Sequence, residues 1–250
     1  MNDSNATPGE QRHSDRRRFL RRLGVSAAVG SVGGGLVPRL AYAANTMTKE
    51  QRDKLTPDDV IALIKQGNER FLKGTEQPTH NYVAQQKAVA NDQHPAAVIL
   101  SCIDSRAPAE IIMDLGIGDV FNSRVAGNIA NDDILGSMEF ACKAAGAKVV
   151  LVMGHTSCGA IKGAIDKVQL GNLTGLLTKI RPAVEATDYK GDRSSKNLAF
   201  VDAVAAKNVE LTIDSIRSNS GVLCDLESAK SIKIVGAIYN LETGKVDFLV

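Results

Sequence analysis

The chain has 250 residues but no tryptophan, and its six phenylalanines and four tyrosines make up only 4% of it. Proteins that bind single-stranded nucleic acids stack the bases on aromatic side chains, so the composition argues against a nucleic-acid partner. Aliphatic side chains and alanine must fill the core instead. The hydrophobic fraction of 44% is enough for one sizeable domain.

The chain also has little net charge, because 30 basic residues nearly balance 28 acidic ones and leave +2. Residues 1–43 hold seven arginines, no lysine and three acidic residues, so the remainder has 23 basic and 25 acidic residues. The remainder is therefore slightly acidic and lacks the basic excess of a polyanion-binding protein. A G-x-G-x-x-G motif after the first predicted strand is missing too, which argues against a dinucleotide site.

The first 43 residues carry the features of an export signal. Residues 15–21, DRRRFLR, resemble the twin-arginine (Tat) signal, in which two arginines precede a variable residue, an aromatic residue and a leucine. A weakly apolar segment follows at 23–37, and Ala41-Tyr42-Ala43 has the small-x-small pattern of a cleavage site. We predict a Tat-type signal peptide at 1–43, cleaved after Ala43. It would direct the precursor through the Tat machinery to the periplasm or out of the cell.

Two other interpretations of this segment are a membrane anchor and a disordered basic tail. The apolar segment at 23–37 includes five glycines in 15 residues, which is too short and too polar to span a bilayer. No stable membrane anchor is therefore expected. A disordered tail would explain neither the apolar segment nor the cleavage pattern.

Beyond the signal, residues 44–56 are predicted to be a linker, and residues 57–250 a domain that begins with a helical arm. Short apolar runs, typical of buried strands, alternate with helical patterns, which indicates an α/β fold. We predict a mostly parallel central sheet, with four parallel strands and an antiparallel edge strand, flanked by helices. The predicted strands are 96–100, 119–125, 148–153, 232–238 and 246–250, and the predicted helices are 57–72, 82–91, 132–146, 159–170 and 195–218.

A thiol, a carboxylate and a guanidinium occur together in SCIDSR, residues 101–106, directly after the first predicted strand. Functional sites of open α/β sheets lie at the carboxyl ends of strands. Because side chains alternate along an extended chain, we expect Cys102, Asp104 and Arg106 to point the same way. Alternatively, Cys102 is a core thiol and Asp104 and Arg106 form a surface ion pair.

A second cluster, HTSCG at 155–159, directly follows the third predicted strand and so lies at the same edge of the sheet. His155 and Cys158 can converge on one ion there, although a structural histidine would also fit this pair alone. Together with Cys102 they offer two thiolates and an imidazole. Two cysteines and one histidine, with an open fourth position, are a ligand set of catalytic zinc. The sequence therefore predicts one Zn²⁺ per subunit.

These motifs resemble those of the β-class carbonic anhydrases, whose signature is C-x-D-S-R followed at this spacing by H-x-x-C-G. In this chain the two parts are residues 102–106 and 155–159, and the histidine stands 53 residues after the first cysteine. Residues 67–71 (GNERF) resemble the N-terminal helix of that family. Residues 118–121 (GDVF) and 124–128 (RVAGN) resemble its middle segment. The resemblance covers roughly residues 57–250.

The resemblance implies reversible hydration of carbon dioxide to bicarbonate and a proton. Cys102, His155 and Cys158 would be the zinc ligands, and a zinc-bound hydroxide would attack carbon dioxide. Asp104 would orient that hydroxide, and Arg106 would hold Asp104 off the metal. Released by Arg106, Asp104 could become a fourth zinc ligand in an inactive, closed state.

Two further residues are candidates for substrate binding. Gln93 stands nine residues before Cys102, where some family members carry a substrate-binding glutamine; the alternative is a plain residue of a polar loop. The backbone N–H of Gly159, which opens a helix, is expected to orient bicarbonate or to stabilise the Cys158 thiolate. Some members bind regulatory bicarbonate with a tryptophan where this chain has Ile99. We therefore expect no such regulation.

Other functions stay open at this stage. Some relatives hydrolyse carbon disulfide or carbonyl sulfide with the same zinc site, and a non-catalytic zinc-binding protein is an alternative of another class. The resemblance also implies a homodimer or homotetramer whose N-terminal helices embrace the partner. Cys142 and Cys224 match no motif and are expected to be buried thiols. An oxidising compartment would permit a disulfide between them.

Overall fold

The computed structural model describes residues 46–74 and 80–249. The predicted signal peptide at 1–43 lies outside these ranges. Fourteen helices and strands lie in the described ranges, besides a short 3₁₀ turn at Ala126–Asn128 and a π-helical turn at Phe140–Ala144. In chain order the helices and strands are α1 Lys49–Lys54, α2 Pro57–Leu72, α3 Tyr82–Ala88, β1 Ala97–Ser101, α4 Ala109–Ile112, β2 Val120–Arg124, α5 Asp132–Glu139, β3 Val149–His155, α6 Gly159–Ile165, α7 Gly171–Ala186, α8 Leu198–Asn219, α9 Gly221–Ser228, β4 Lys233–Tyr239 and β5 Val246–Leu249.

The five strands form one sheet in the order β2-β1-β3-β4-β5. The first four strands run parallel, and β5 pairs antiparallel with β4 at the edge. Every residue of β1 and β3 is buried, as expected for central strands that helices cover on both faces. The predicted α/β fold with a mostly parallel sheet is confirmed.

Successive side chains of the central strands enter different cores, because side chains alternate across a sheet. Ile99 and Leu151 belong to the cluster that also contains Val60 and Ile64 of α2. Their neighbours along β1 and β3 belong to a second cluster, to which α8 contributes. A third cluster lies beyond the carboxyl end of the sheet and includes two of the predicted zinc ligands. Helices therefore flank the sheet as predicted.

Helix α2 begins where the sequence predicts it. Thr56 caps it through a reciprocal pair of hydrogen bonds with Asp59, and Pro57 occupies the first turn. The buried side chain of Asn68 then fastens the helix to the domain. Its Nδ2 donates to the carbonyl oxygens of Ile112 and Gly244, each at 2.9 Å, and its Oδ1 accepts from the N–H of Val246 at 2.9 Å.

Several elements differ from the predictions. Helix α1 lies inside the predicted linker, and its Arg52 is only 4% exposed and donates to the carbonyl of Ala145, so this segment packs on the domain. Helix α7 has no counterpart in the predictions, because Gly175 and Pro182 interrupt its pattern. The helix predicted at 159–170 ends at Ile165. Within the described ranges, no helix combines the length and apolar character needed to cross a membrane.

Candidate metal centre

The sheet brings the two sequence clusters to one edge. Strands β1 and β3 are parallel neighbours, with Ser101 beside Met153. Cys102 directly follows the last residue of β1, and His155 is the last residue of β3. Cys158 comes three residues later, immediately before α6. The predicted meeting of these three residues therefore follows from the register of two central strands.

The ligand atoms of Cys102, His155 and Cys158 all lie within 4.8 Å of one another. All three residues are buried, with exposed fractions of 4%, 1% and 1%. His155 Nδ1 lies 2.9 Å from the carbonyl oxygen of Thr156. A carbonyl can only accept, so Nδ1 carries the proton and Nε2 has a bare lone pair. Nε2 has no hydrogen-bond partner among the described residues.

A buried acceptor without a partner is costly unless something binds it. Two cysteine sulfurs and this imidazole nitrogen form a donor set that suits Zn²⁺. Three protein ligands are one fewer than a closed structural site uses, so a fourth position stays available. The residues present therefore fit zinc, and they fit a catalytic site better than a structural one.

The two thiols share one environment and affect each other. The pKa of Cys102 is lowered to about 4, because the Cys158 thiol donates a hydrogen bond to its sulfur and the N–H of Gly127 donates another. The same contact with Cys102, together with burial, raises the pKa of Cys158. Zinc binding requires both sulfurs as thiolates, so it must remove the proton from Cys158.

The carboxylate of Asp104 lies beside the metal ligands, with Oδ2 3.8 Å from His155 Nε2. Arg106 binds it from the other side. Its backbone N–H and its Nε each donate to Oδ1 at 2.9 Å, and Nη2 donates to Oδ2 at 2.8 Å. Hydrogen bonding from Arg106 holds the pKa of Asp104 well below its usual range. The carboxylate therefore stays ionised and accepts hydrogen bonds.

Alternation along an extended strand, the predicted basis of this pairing, is wrong. Strand β1 ends at Ser101, and residues 105–106 form a turn. Strand alternation therefore does not align Cys102, Asp104 and Arg106. A turn brings the guanidinium back onto the carboxylate, since the Arg106 N–H closes onto Asp104 two residues earlier.

Three residues that the sequence did not single out individually support the two loops. Arg124, at the end of β2, donates to the carbonyl oxygens of Cys102 at 2.9 Å and Asp104 at 2.6 Å. The N–H of Gly127 donates to Cys102 Sγ at 3.4 Å. Arg124 and Gly127 lie in RVAGN, so the motif was a usable signal. Asp202 Oδ1 accepts from the Ser157 N–H at 2.7 Å, and nothing local in the sequence marks this contact.

The two proposed substrate-binding residues lie in different places. Gly159 is the first residue of α6, next to Cys158, at the edge where the ligands converge. Gln93 is exposed and lies before β1, at the opposite end of that strand from Cys102. The structure does not bring Gln93 to the metal centre of its own chain, so its role stays a prediction.

The other two cysteines lie apart from the metal centre. Cys142 is buried, and burial raises the pKa of its thiol to about 12. Cys224 is exposed, so the prediction that it is a buried thiol is wrong. Both are free thiols in this structure.

Fold and site together define a zinc enzyme of the β-class carbonic anhydrase type. The family model described as "Carbonic anhydrase" matches residues 97–246. The chain is 34% identical over 187 residues to carbonic anhydrase 2 of Mycobacterium tuberculosis, covering 73% of this chain and 87% of that protein. It is 33% identical over 187 residues to the carbonic anhydrase of Mycolicibacterium smegmatis, covering 74% and 89%. The chain therefore belongs to the β-class carbonic anhydrase family.

Solved structures agree on the fold. A tetrameric β-carbonic anhydrase from Sordaria macrospora superposes with a TM-score of 0.59 at 23% identity, over 76% of this chain and 95% of that chain. At this identity the likeness concerns the fold alone. The predicted family is thus confirmed by sequence comparison, and the predicted architecture by the structures.

Proposed function

We propose that this protein catalyses the reversible hydration of carbon dioxide to bicarbonate and a proton. The observation that carries the proposal is the position of the Asp104–Arg106 pair beside the metal ligands, with Oδ2 3.8 Å from the free Nε2 of His155. A structural zinc site needs no such pair. A non-catalytic zinc-binding function would leave it unexplained.

The zinc ion would be held by Cys102, His155 and Cys158, and when bound it would supply a Lewis acid that makes a water molecule more acidic. Asp104 stays ionised, since Arg106 keeps its pKa low. An ionised carboxylate would accept a hydrogen bond from the attacking water. This bond would direct a lone pair of the water oxygen at the carbon of carbon dioxide. Asp104 therefore orients the nucleophile and does not itself take part as an acid.

Arg106 has a positioning role in this proposal. Its Nε and Nη2 bind both oxygens of Asp104, and this two-pronged geometry fixes the plane of the carboxylate. With Arg106 in place, Asp104 stays directed toward the reacting water. Loss of the contact would free Asp104 to bind the metal, which is the closed state proposed from the sequence.

The Gly159 N–H and Gln93 are proposed to bind the substrate. Gly159 directly follows Cys158, so its N–H is available at the same edge of the sheet. Gln93 lies at the other end of β1, so only a second copy of the chain could bring it to a metal centre. The relative from Sordaria macrospora is described as tetrameric. We propose a homodimer or homotetramer here, which light scattering coupled to gel filtration would measure.

We also propose export through the Tat pathway to the periplasm or beyond the cell. The support is sequence alone: the arginine motif at 15–21 and the Ala41-Tyr42-Ala43 cleavage pattern. A precursor with Arg16→Lys and Arg17→Lys should remain in the cytoplasm at full length. Normal export of that precursor would contradict the proposal.

The deciding experiment is stopped-flow carbon dioxide hydration by the zinc-loaded chain starting at Ala44. Cys158→Ser should lose both zinc and activity. Cys224→Ser is the matched control, because it changes an exposed free thiol in the same way, and it should keep both. Asp104→Asn should keep zinc but lose most activity, since an amide is a poorer acceptor than a carboxylate.

Carbonyl sulfide and carbon disulfide are tested in parallel. Zinc-loaded protein that hydrolyses these but leaves carbon dioxide unhydrated would overturn the proposed substrate while keeping the proposed site. Zinc-loaded protein that acts on none of the three would favour a binding role.

A further inference from the structure

Arg124, the last residue of β2, crosses to the loop that follows the neighbouring strand. In the sheet it lies beside Ser101, the last residue of β1. Its Nε donates to the carbonyl oxygen of Cys102 at 2.9 Å, and its Nη2 donates to the carbonyl oxygen of Asp104 at 2.6 Å. Both acceptors belong to the backbone. One side chain thus binds the loop at two points.

The other contacts of this loop hold its Cys102 end, where the side chain is buried and its sulfur accepts from the Gly127 N–H. Residues 102–104 belong to no helix or strand, and Ile103, between the two bound carbonyls, has a 61% exposed side chain. Packing of the central residue therefore does not fix the loop. The Asp104 carbonyl also accepts from the Ala107 N–H at 3.0 Å, but that bond lies within the same turn. Arg124 ties the turn to the sheet.

We infer that Arg124 is a positioning residue that sets the separation between the zinc ligand Cys102 and the carboxylate of Asp104. The guanidinium is planar and its donors stand in a fixed fork. The carbonyls of Cys102 and Asp104 are bound by the same guanidinium, so they cannot move independently of each other. The backbone they belong to carries the first thiolate on one side of Ile103 and the carboxylate on the other.

The expected importance of this separation follows from the chemistry. A displacement of about 1 Å between reacting groups can cost about 100-fold in rate. Partners that orient metal ligands typically contribute about 10–100-fold in metal affinity or activity. The inference rests on the proposed carbon dioxide hydration only for its kinetic test, because zinc affinity and the spectrum of bound cobalt report on the site without any turnover.

The test compares Arg124→Gln and Arg124→Lys with Arg193→Gln. Arg193 is a matched control, because it also binds two backbone carbonyls, those of Thr187 and Val184, at 2.7 and 2.6 Å. Its guanidinium also lies over the ring of Phe200, and none of these contacts within the described residues involves Cys102, His155 or Cys158. All variants are made in the chain starting at Ala44. The measurements are the zinc Kd, the visible spectrum of the Co²⁺-substituted protein, kcat and KM.

We expect Arg124→Gln to shift the cobalt spectrum and to lose about 10–100-fold in zinc affinity or in kcat. KM should be nearly unchanged, because the hydrogen bonds of Arg124 go to the backbone of the loop. Arg124→Lys keeps the charge but lacks the fork, so it should fall between Arg124→Gln and the parent. Arg193→Gln should leave the spectrum, the zinc Kd and kcat as in the parent chain.

Parent-like spectrum, zinc Kd and kcat in Arg124→Gln would overturn the inference. Equal losses in Arg193→Gln would also overturn it, because the effect would then be a general loss of stability. If Arg124→Gln does not fold, the lysine variant decides in the same way. If the parent chain does not hydrate carbon dioxide but Arg124→Gln shifts the cobalt spectrum, the proposed reaction fails and the positioning role stands.

Discussion

The contact between Asp202 and Ser157 gives a prediction about zinc binding that can be worked out from the structure. Ser157 lies between two ligands, His155 and Cys158, and has a φ of 54°. A non-glycine residue in this region is strained by about 1 kcal/mol or more and needs support from its surroundings. The support is the hydrogen bond from its N–H to Asp202 Oδ1, at 2.7 Å, from helix α8.

Removing this acceptor should loosen the loop that carries both ligands. A hydrogen bond to a charged group contributes about 1.5–3 kcal/mol, and Asp202 is only half-buried, so we take the lower value. If zinc binding must order the loop without this hydrogen bond, the loss of about 1.5 kcal/mol appears in the free energy of zinc binding. It corresponds to a zinc Kd about tenfold weaker. Asp202→Ala should show this loss. Asp202→Asn retains a neutral acceptor and should lose only about two- to threefold.

The assay is competition for Zn²⁺ with a chromogenic chelator at fixed pH. Asp214→Ala is the matched control, because Asp214 lies on the same helix but is 68% exposed. Its carboxylate makes a long ion pair with Arg217, at 4.0 Å. Its zinc Kd should equal that of the parent. A Kd for Asp202→Ala within twofold of the parent would refute the reasoning, because the loop would then keep its shape without the bond.

Three other predictions concern stability and pH. Asn68→Leu should lower the free energy of unfolding in urea by at least about 3 kcal/mol, because three backbone groups that Asn68 binds lose their partner; a loss under about 1 kcal/mol would contradict this. Burial raises the pKa of Asp119 to about 6. As the pH rises, the unfolded chain therefore loses this proton at a lower pH than the folded protein does. The contribution of the protonated Asp119 to the free energy of unfolding is complete below about pH 4 and is lost as the pH rises through 6. The parent should lose up to about 3 kcal/mol relative to Asp119→Asn between about pH 4 and 7, and parallel urea-derived stability curves for the two proteins would rule this out. Carbon dioxide hydration should increase from about pH 6.5 to 9, because two thiolates neutralise the charge of zinc and leave its water a weaker acid than with three histidines; a flat stopped-flow profile would count against it.

Much of the fold was predictable because its signals are local. Thr56 and Pro57 mark the start of α2, and the predicted range 57–72 matches the observed helix. The apolar runs of β1 and β3 mark central strands, although each observed strand starts one residue later than predicted. Helix α7 has no comparable signal, because Pro182 lies inside it and no side chain caps its start. Packing on the neighbouring helices stabilises it, and the sequence does not show that packing.

The site was predictable for a similar reason, up to a limit. Cys102 and the pair His155–Cys158 each follow an apolar run, so a parallel sheet had to bring them to one edge. What the sequence could not show is how the loops are held. Asp202 is 45 residues from its partner Ser157, and Arg124 acts on carbonyl groups, which every residue has. Contacts with backbone atoms leave no pattern in the residue types of their partners.

The position of Asn68 also has a consequence for the order in which the domain can be completed. This side chain, in the first long helix of the domain, binds Gly244 and Val246 in the hairpin that ends it. Ribosomes make the chain from the N-terminus, so α2 has no finished docking surface until those residues have been synthesised. The N-terminal arm should therefore reach its final place only after Gly244 and Val246 have been synthesised, and until then its apolar face needs other protection from aggregation.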